Sequence, residues 1–346
     1  MKNIRFILFF ILCFIYNFSA FANDKVLNVY NWSNYMPDDV LAQFEKETGI
    51  HVNYSTYSGN DMLYAKLKAD PNAGYDVIVP SSYFVERMRK QDILQKFDKS
   101  QLPNMKYLNK SLMGKPFDPN NDYSVPYFWG STGIVVNKLY FDPAKITRWS
   151  DLWKPEFYNQ LLLTDDPHDV FSMALLVLGY PASDSNPKDI YQAYLKLKKL
   201  LPNVRLFNTD VAKVNYIDED STIGMGYSGD TYQAWKENPH LVYIYPQDGF
   251  VVWIDCLAIP KNAPHLKNAY IFINFLMRPD IAAKLGIELG YASPNAEALK
   301  FMPPDIRNNP IIYPDAKTLA RAQFETEPGN TARLYEKYME ELKVGD

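Results

Sequence analysis

The sequence predicts an α/β protein built as two lobes around a cleft. Three observations carry this expectation. Short apolar runs alternate with helical patterns along most of the chain. That alternation starts near residue 25 and starts again, with new elements and no internal repeat, near residue 161. The chain is also long enough for one large domain or two medium ones, so its core needs no disulfide staple.

In the first lobe, residues 25–30 (KVLNVY) read as a strand. Pro37-Asp38-Asp39 opens a helix that ends near Thr48, with Gly49 as its stop. Residues 50–55 are a second strand, and Asn60-Asp61 opens a helix through about Ala69. Residues 75–79 (YDVIV) are a third strand, followed by a helix from about Phe84. In the second lobe, residues 161–164 form a strand and a helix follows through Leu178. A helix covers 188–199, strands cover 204–207 and 223–227, and a helix covers 231–236. Strands at 241–245 and 250–259 come next, then helices at 264–277, 279–288 and 331–343. Segments 132–136 and 255–260 are candidate crossovers between the lobes.

The N-terminus reads as a secretory signal over residues 1–22. Lys2 and Arg5 precede an apolar run from Phe6 to Tyr16, and Ala20-Phe21-Ala22 supplies a small-x-small cleavage pattern. The run is short for a bilayer span, which takes roughly 20 apolar residues. Leu12 before Cys13 argues against lipidation. Cleavage leaves Cys256 as the only cysteine, so no intramolecular disulfide is expected. The formal charge is −4, and losing Lys2 and Arg5 makes the chain more acidic. That argues against nucleic acid as a partner and is compatible with a cationic ligand. Aromatic residues make up 15% of the chain, including 26 Tyr, which suits a site needing both apolar faces and hydroxyls.

In open α/β sheets, ligands bind beyond the carboxyl ends of strands. Four predicted strand ends carry polar or aromatic clusters: Asn31-Trp32-Ser33-Asn34-Tyr35, Pro80-Ser81-Ser82-Tyr83, Thr164-Asp165-Asp166-Pro167-His168-Asp169 and Tyr227-Ser228-Gly229-Asp230. Within the run 251–255, alternation puts Trp253 and Asp255 on one strand face. A carboxylate in an otherwise apolar strand needs a partner, either an internal Lys or Arg or a bound cation. Asp166 and Asp169 have a second reading as helix cap and capping-box acid around Pro167. The two readings are compatible, since a helix N-terminus keeps a carboxylate ionised. Aromatic faces attract ammonium groups and cover methylenes. Carboxylates at the ends with rings between them fit an alkyl diamine or longer polyamine better than a sugar. Signals for catalysis are thin. Gly226-Tyr227-Ser228-Gly229-Asp230 begins like a nucleophile elbow but ends in Asp where Gly is expected. The four His residues have no obvious nucleophile partner, and neither a short-range His/Cys metal cluster nor a Gly-rich phosphate loop is present.

The motifs YNWSNY, ETGI, STYSGNDMLYAKLK, YDVIVPSSY, GKPFDPNNDYSVPYFWG, SDLWKPE, LLLTDD and INFLMRPD make the mature chain resemble the periplasmic spermidine/putrescine-binding proteins of polyamine ABC transporters. The resemblance implies a type II periplasmic binding protein fold, with a ligand cleft between two α/β lobes and a hinge of crossover strands. The lobes then comprise 23–134 with 256–310, and 135–255 with 311–346. It implies an aromatic box of Trp32, Tyr35, Tyr83, Tyr227, Trp253 and Tyr291. Asp255 matches the carboxylate that holds a buried amine, Asp166 and Asp169 match a terminal-amine site, and Ser33 and Ser81 match hydrogen-bonding positions. Departures bear on specificity. Asp169 stands where Glu is usual, Tyr227 where Trp is usual, and Glu325 where the spermidine branch has Gln. Asp230 resembles the putrescine branch, and Asn34 replaces an acid. The expected ligand is putrescine, spermidine or cadaverine, and the expected partner an inner-membrane ABC permease. The resemblance implies a periplasmic monomer with no cofactor, no metal and no catalysis. Two alternatives are a secreted enzyme on the same fold, using Asp166, Asp169 or Asp255 as acid/base groups, and an iron-binding relative using tyrosinates.

Overall fold

The structure, a computed structural model, describes residues 25–344, so the signal-peptide reading and Cys13 lie outside the described residues. The described residues form ten strands and the helices between them. The order is β1 (Val26–Trp32), α1 (Asp38–Thr48), β2 (His51–Tyr57), α2 (Asn60–Ala69), β3 (Val77–Ile78), α3 (Ser82–Lys90) and β4 (Ser124–Asn137). Then come β5 (Leu161–Leu163), α4 (Pro167–Val177), α5 (Pro187–Lys198), β6 (Val204–Phe207), α6 (Ala212–Ile217), β7 (Ile223–Tyr227), α7 (Ser228–Glu237), β8 (Leu241–Ile244) and β9 (Phe250–Ala258). The chain closes with α8 (Leu266–Leu276), α9 (Pro279–Leu289), α10 (Pro304–Arg307), α11 (Ala316–Leu319), β10 (Ala322–Phe324) and α12 (Ala332–Val344). Among the described residues no helix is long and apolar enough to cross a membrane.

Local chemistry explains the elements that the sequence predicts. Helix α1 ends at Gly49, whose φ of 69° is the left-handed conformation that a helix C-terminus favours in glycine, and its N–H closes on the Glu45 carbonyl. Helix α4 starts at Pro167 because Asp166 caps it, accepting from the His168 N–H at 2.7 Å. Strand β9 is buried along its whole length, as a central strand covered on both faces must be.

Strand β4 organises the molecule. Its first half, Ser124–Ser131, pairs antiparallel with β9 (Ser124 opposite Ala258, Ser131 opposite Val252). Its second half pairs antiparallel with β7 through Thr132–Val136 and with β8 through Ile134–Asn137. Around the first half, β1 lies between β2 and β3, all parallel. Around the second half, β5 lies between β6 and β7, also parallel. The sequence reading found only the end of β4. Pro126, which lacks an N–H, lies in the first half opposite Cys256, next to a register shift between Pro126 and Phe128. Helix α7 starts at Ser228, three residues before the expected start, and the third strand spans only Val77–Ile78.

The core is aromatic. Phe44 of α1 meets Phe272 and Phe275 of α8 at 4.9 and 5.3 Å. Trp149 is fully buried and donates its indole N–H to the Gly249 carbonyl. Near the C-terminus, β10 adds to β9 in parallel opposite Phe250–Val252, and α12 packs on α4 with Tyr335 against Phe171. That return segment carries Glu325 to the same region as β9.

Candidate ligand cleft

One cavity of about 650 Å³ gathers every sequence-predicted site residue: Trp32, Ser33, Tyr35, Ser81, Tyr83, Asp166, Asp169, Tyr227, Asp230, Trp253, Asp255, Tyr291 and Glu325. The ends of β1, β3, β5 and β7 open onto it, as the strand-end rule requires.

Asp255 stands in its wall, 6% exposed. One carboxylate oxygen accepts from the Ser81 hydroxyl at 2.6 Å and the other from the Tyr35 hydroxyl at 2.8 Å. No Lys or Arg among the described residues pairs with it, so the internal ion-pair reading does not hold. Burial pushes its carboxyl up to about 6, against the downward pull of those two hydroxyls. Ser81 is itself fixed by Asn60, which accepts the Ser81 N–H at 3.0 Å and donates to the Ser81 and Tyr83 hydroxyls at 3.1 and 3.2 Å.

A second acidic group forms where α4 meets the C-terminal return. Asp169 does not complete a capping box. Its oxygens instead accept from the Thr132 hydroxyl at 2.8 Å and the Tyr227 hydroxyl at 2.7 Å. Thr132 is the first residue of β4 to pair with β7, so this carboxylate is tied to the point where β4 changes partner. Asp166 keeps its capping role while lining the cavity. Glu325, 6% exposed, has no hydrogen-bond or ion-pair partner for its carboxylate among the described residues. Burial raises all three carboxyls. The charges of Asp169 and Asp166 raise Glu325 further, and Asp169 likewise raises Asp166. Two residues on, Glu327 takes a two-pronged hydrogen bond from Arg87 of α3, at 2.9 and 3.2 Å, which anchors the segment holding Glu325. Asp230, in the first turn of α7, lies beside the Tyr291 hydroxyl and Lys213, and burial raises its carboxyl.

Rings fill the space between these acids. Tyr291 lies 5.4 Å from Tyr35 and 5.5 Å from Trp253, and Trp253 lies 5.8 Å from Tyr227. Two glycines admit them. A Cβ on Gly229 would fall 2.4 Å from the Tyr291 ring, and one on Gly130 would fall 2.5 Å from Trp253. Trp32 is held by its indole N–H on the Val79 carbonyl at 2.8 Å. Tyr83 of α3 tilts against His168 of α4 at 4.4 Å, and His168 stacks on Tyr335. Burial pushes His168 down to about 3, so it is a neutral ring in this stack. Ser33 is exposed, and its hydroxyl lies 3.5 Å from the Tyr57 carbonyl.

Sequence reasoning missed Asp61, Asp210, Lys213 and Glu288 as lining residues, and left Asp165 out of the site although it lies in a strand-end cluster. Extending the strand-end rule to β2 and β6 finds Asn60-Asp61 and Thr209-Asp210. Glu288, near the end of α9, has no such local signal. Among the described residues no group of three or more His, Cys, Asp or Glu is arranged to hold a metal ion.

Residues 39–314 match the family described as bacterial extracellular solute-binding protein. The spermidine/putrescine-binding periplasmic protein of Salmonella typhimurium is 46% identical over 328 residues, 94% of each chain. Its namesake from Escherichia coli K12 is 45% identical with the same coverage. The solved spermidine/putrescine ABC transporter substrate-binding protein PotD of Streptococcus pneumoniae superposes with a TM-score of 0.80 at 32% identity, covering 93% of this chain and 99% of that one. A two-sheet architecture sharing β4, a cleft at the strand ends and these matches over nearly the whole chain place it: the protein belongs to the bacterial extracellular solute-binding protein family and has its type II periplasmic binding fold.

Proposed function

We propose that the protein captures a linear polyamine in the periplasm and delivers it to the permease of an ABC transporter, acting as a monomer and without altering its ligand. The observation that carries this reading is the state of the buried acids. Asp255 and Asp169 are satisfied only by hydroxyl donors, and Glu325 has no partner among the described residues. Leaving such groups without a cation is costly, and ammonium groups separated by methylenes remove that cost while the rings cover the chain. Asp255 holds one amine, Asp166, Asp169 and Glu325 surround another, and Asp230 lines the far end of the cleft beside Lys213. Ser33 and Ser81 supply hydrogen bonds, and Trp32, Tyr35, Tyr83, Tyr227, Trp253 and Tyr291 wall the alkyl stretches. The relatives share this ligand class in their names.

Tyr35 and Tyr227 donate their hydroxyls to carboxylates, and burial raises both far above the usual phenol range. Both hydroxyls are engaged as donors to carboxylates, and no group of three or more His, Cys, Asp or Glu among the described residues is arranged to hold a metal ion, so nothing in the cleft favours the iron-binding reading. Isothermal titration with putrescine, cadaverine, spermidine and spermine tests the proposal. Binding of at least one is expected, and no heat with any of them overturns it. Mass spectrometry of the ligand after prolonged incubation is expected to return it unchanged.

A further inference from the structure

Lys213 is the one lysine or arginine that lines the cavity among the described residues, facing nine carboxylate side chains in its walls. It stands on α6, half-buried, and makes no ion pair or hydrogen bond among the described residues. A small recess adjoins the cavity, and Lys213 and Asp230 line both, together with Thr209 and Tyr227. Asp230 sits in the first turn of α7 with no ion-pair partner within bonding reach, so it is open to whichever ammonium arrives. Lys213 supplies one from the protein itself. Its charge also lowers the Asp230 carboxyl against the effect of burial, which fits a position close enough to interact.

We propose that Lys213 is a specificity-determining residue, a resident ammonium that occupies the Asp230 end of the cleft and sets how many ammonium groups a ligand brings. This rests on the polyamine reading above. With Lys213 in place, a diamine pairs with Asp255 and with the Asp166, Asp169 and Glu325 group, and its charges are matched. A triamine that reaches towards Asp230 meets a like charge in a poorly screened cleft and must displace it. Discrimination between partners of the same chemistry can be built from such a repulsive element, and Lys213 is placed to provide it.

The test is calorimetric titration of putrescine and spermidine against the wild-type protein, Lys213→Met, Lys213→Arg and the double variant Lys213→Met with Asp230→Asn. Lys213→Met is expected to raise spermidine affinity about tenfold relative to putrescine, the scale of one charge-assisted contact. Lys213→Arg keeps the wild-type ratio, and adding Asp230→Asn removes the gain. Lys213→Gln replaces Lys213→Met should the latter fail to fold. An unchanged ratio, or an equal gain for both ligands as a diffuse charge effect produces, overturns the inference while leaving polyamine binding intact. A wild-type protein that binds no polyamine overturns the underlying reading instead.

Discussion

Asp255 is held by two short hydrogen bonds and by no cation among the described residues, and its neighbours explain why it survives in an apolar strand. Ser81 and Tyr35 donate to it, and Asn60 fixes Ser81. These contacts preorganise a charge that becomes fully useful only with an ammonium against it. Replacing Asp255 with Asn removes that charge while keeping the shape. The expected loss is about 3 kcal/mol of binding, roughly two orders of magnitude in Kd, as for a truncated buried charge pair. Ser33 is exposed and only 3.5 Å from its nearest acceptor, so Ser33→Ala costs less than about 1 kcal/mol. Titration of the two variants checks the ranking, and comparable losses would contradict the roles assigned here.

At the scale of elements, the cleft depends on close approach between strand ends and helix starts. Tyr291, just beyond α9, lies over Gly229 at the start of α7, and Trp253 of β9 lies over Gly130 of β4. A side chain at either glycine displaces a ring of the box. Gly229→Ala is therefore expected to cost about 1–3 kcal/mol in stability, as overpacking does, and to weaken polyamine binding by shifting Tyr291. Gly59→Ala is the control: its added methyl meets nothing within 4 Å and its φ is ordinary. Gly59 is also the N-cap of α2, where Ala is the poorer cap, so thermal unfolding of that variant is expected to change by no more than about 1 kcal/mol.

At the scale of the molecule, the cleft is a store of unfavourable charge. Asp166, Asp169, Asp255 and Glu325 all have carboxyls raised by burial, Asp255 to about 6. A carboxyl raised in the folded state favours folding below its unfolded value, and that contribution is lost as pH rises through the folded value. The unliganded protein is therefore expected to gain thermal stability as pH falls from about 8 to about 5. A cation prefers the ionised acids, so the stabilisation given by polyamine runs the other way and shrinks over the same interval. Ligand binding near pH 7 also releases protons. Melting curves with and without ligand, and calorimetry in buffers of different ionisation enthalpy, measure these effects. A ligand-induced shift independent of pH would contradict them.

The sequence by itself determined the alternation of strands and helices, because hydrophobic period and end signals are local: Asn60–Ala69, Val204–Phe207 and Ile223–Tyr227 lie where pattern and turn chemistry put them. It also placed Trp253 and Asp255 on one face, since strand alternation needs no tertiary information. Capping versus binding at Asp166 and Asp169 was open in the sequence, because both uses want an acid at a helix start. The tertiary structure keeps Asp166 as the cap and turns Asp169 to Thr132 and Tyr227, with both lining the cavity. The extent of β4 was not read from the sequence; Pro126, which has no N–H to give the ladder, pairs with Cys256 beside a register shift. Glu288 and Lys213 reach the cleft through the packing of α9 and α6, which no local pattern encodes. The strand-end acids and rings of the cleft were therefore legible from local pattern, whereas Glu288, Lys213 (its one Lys or Arg among the described residues) and the resulting charge balance arise from elements distant in sequence that meet only in the folded chain.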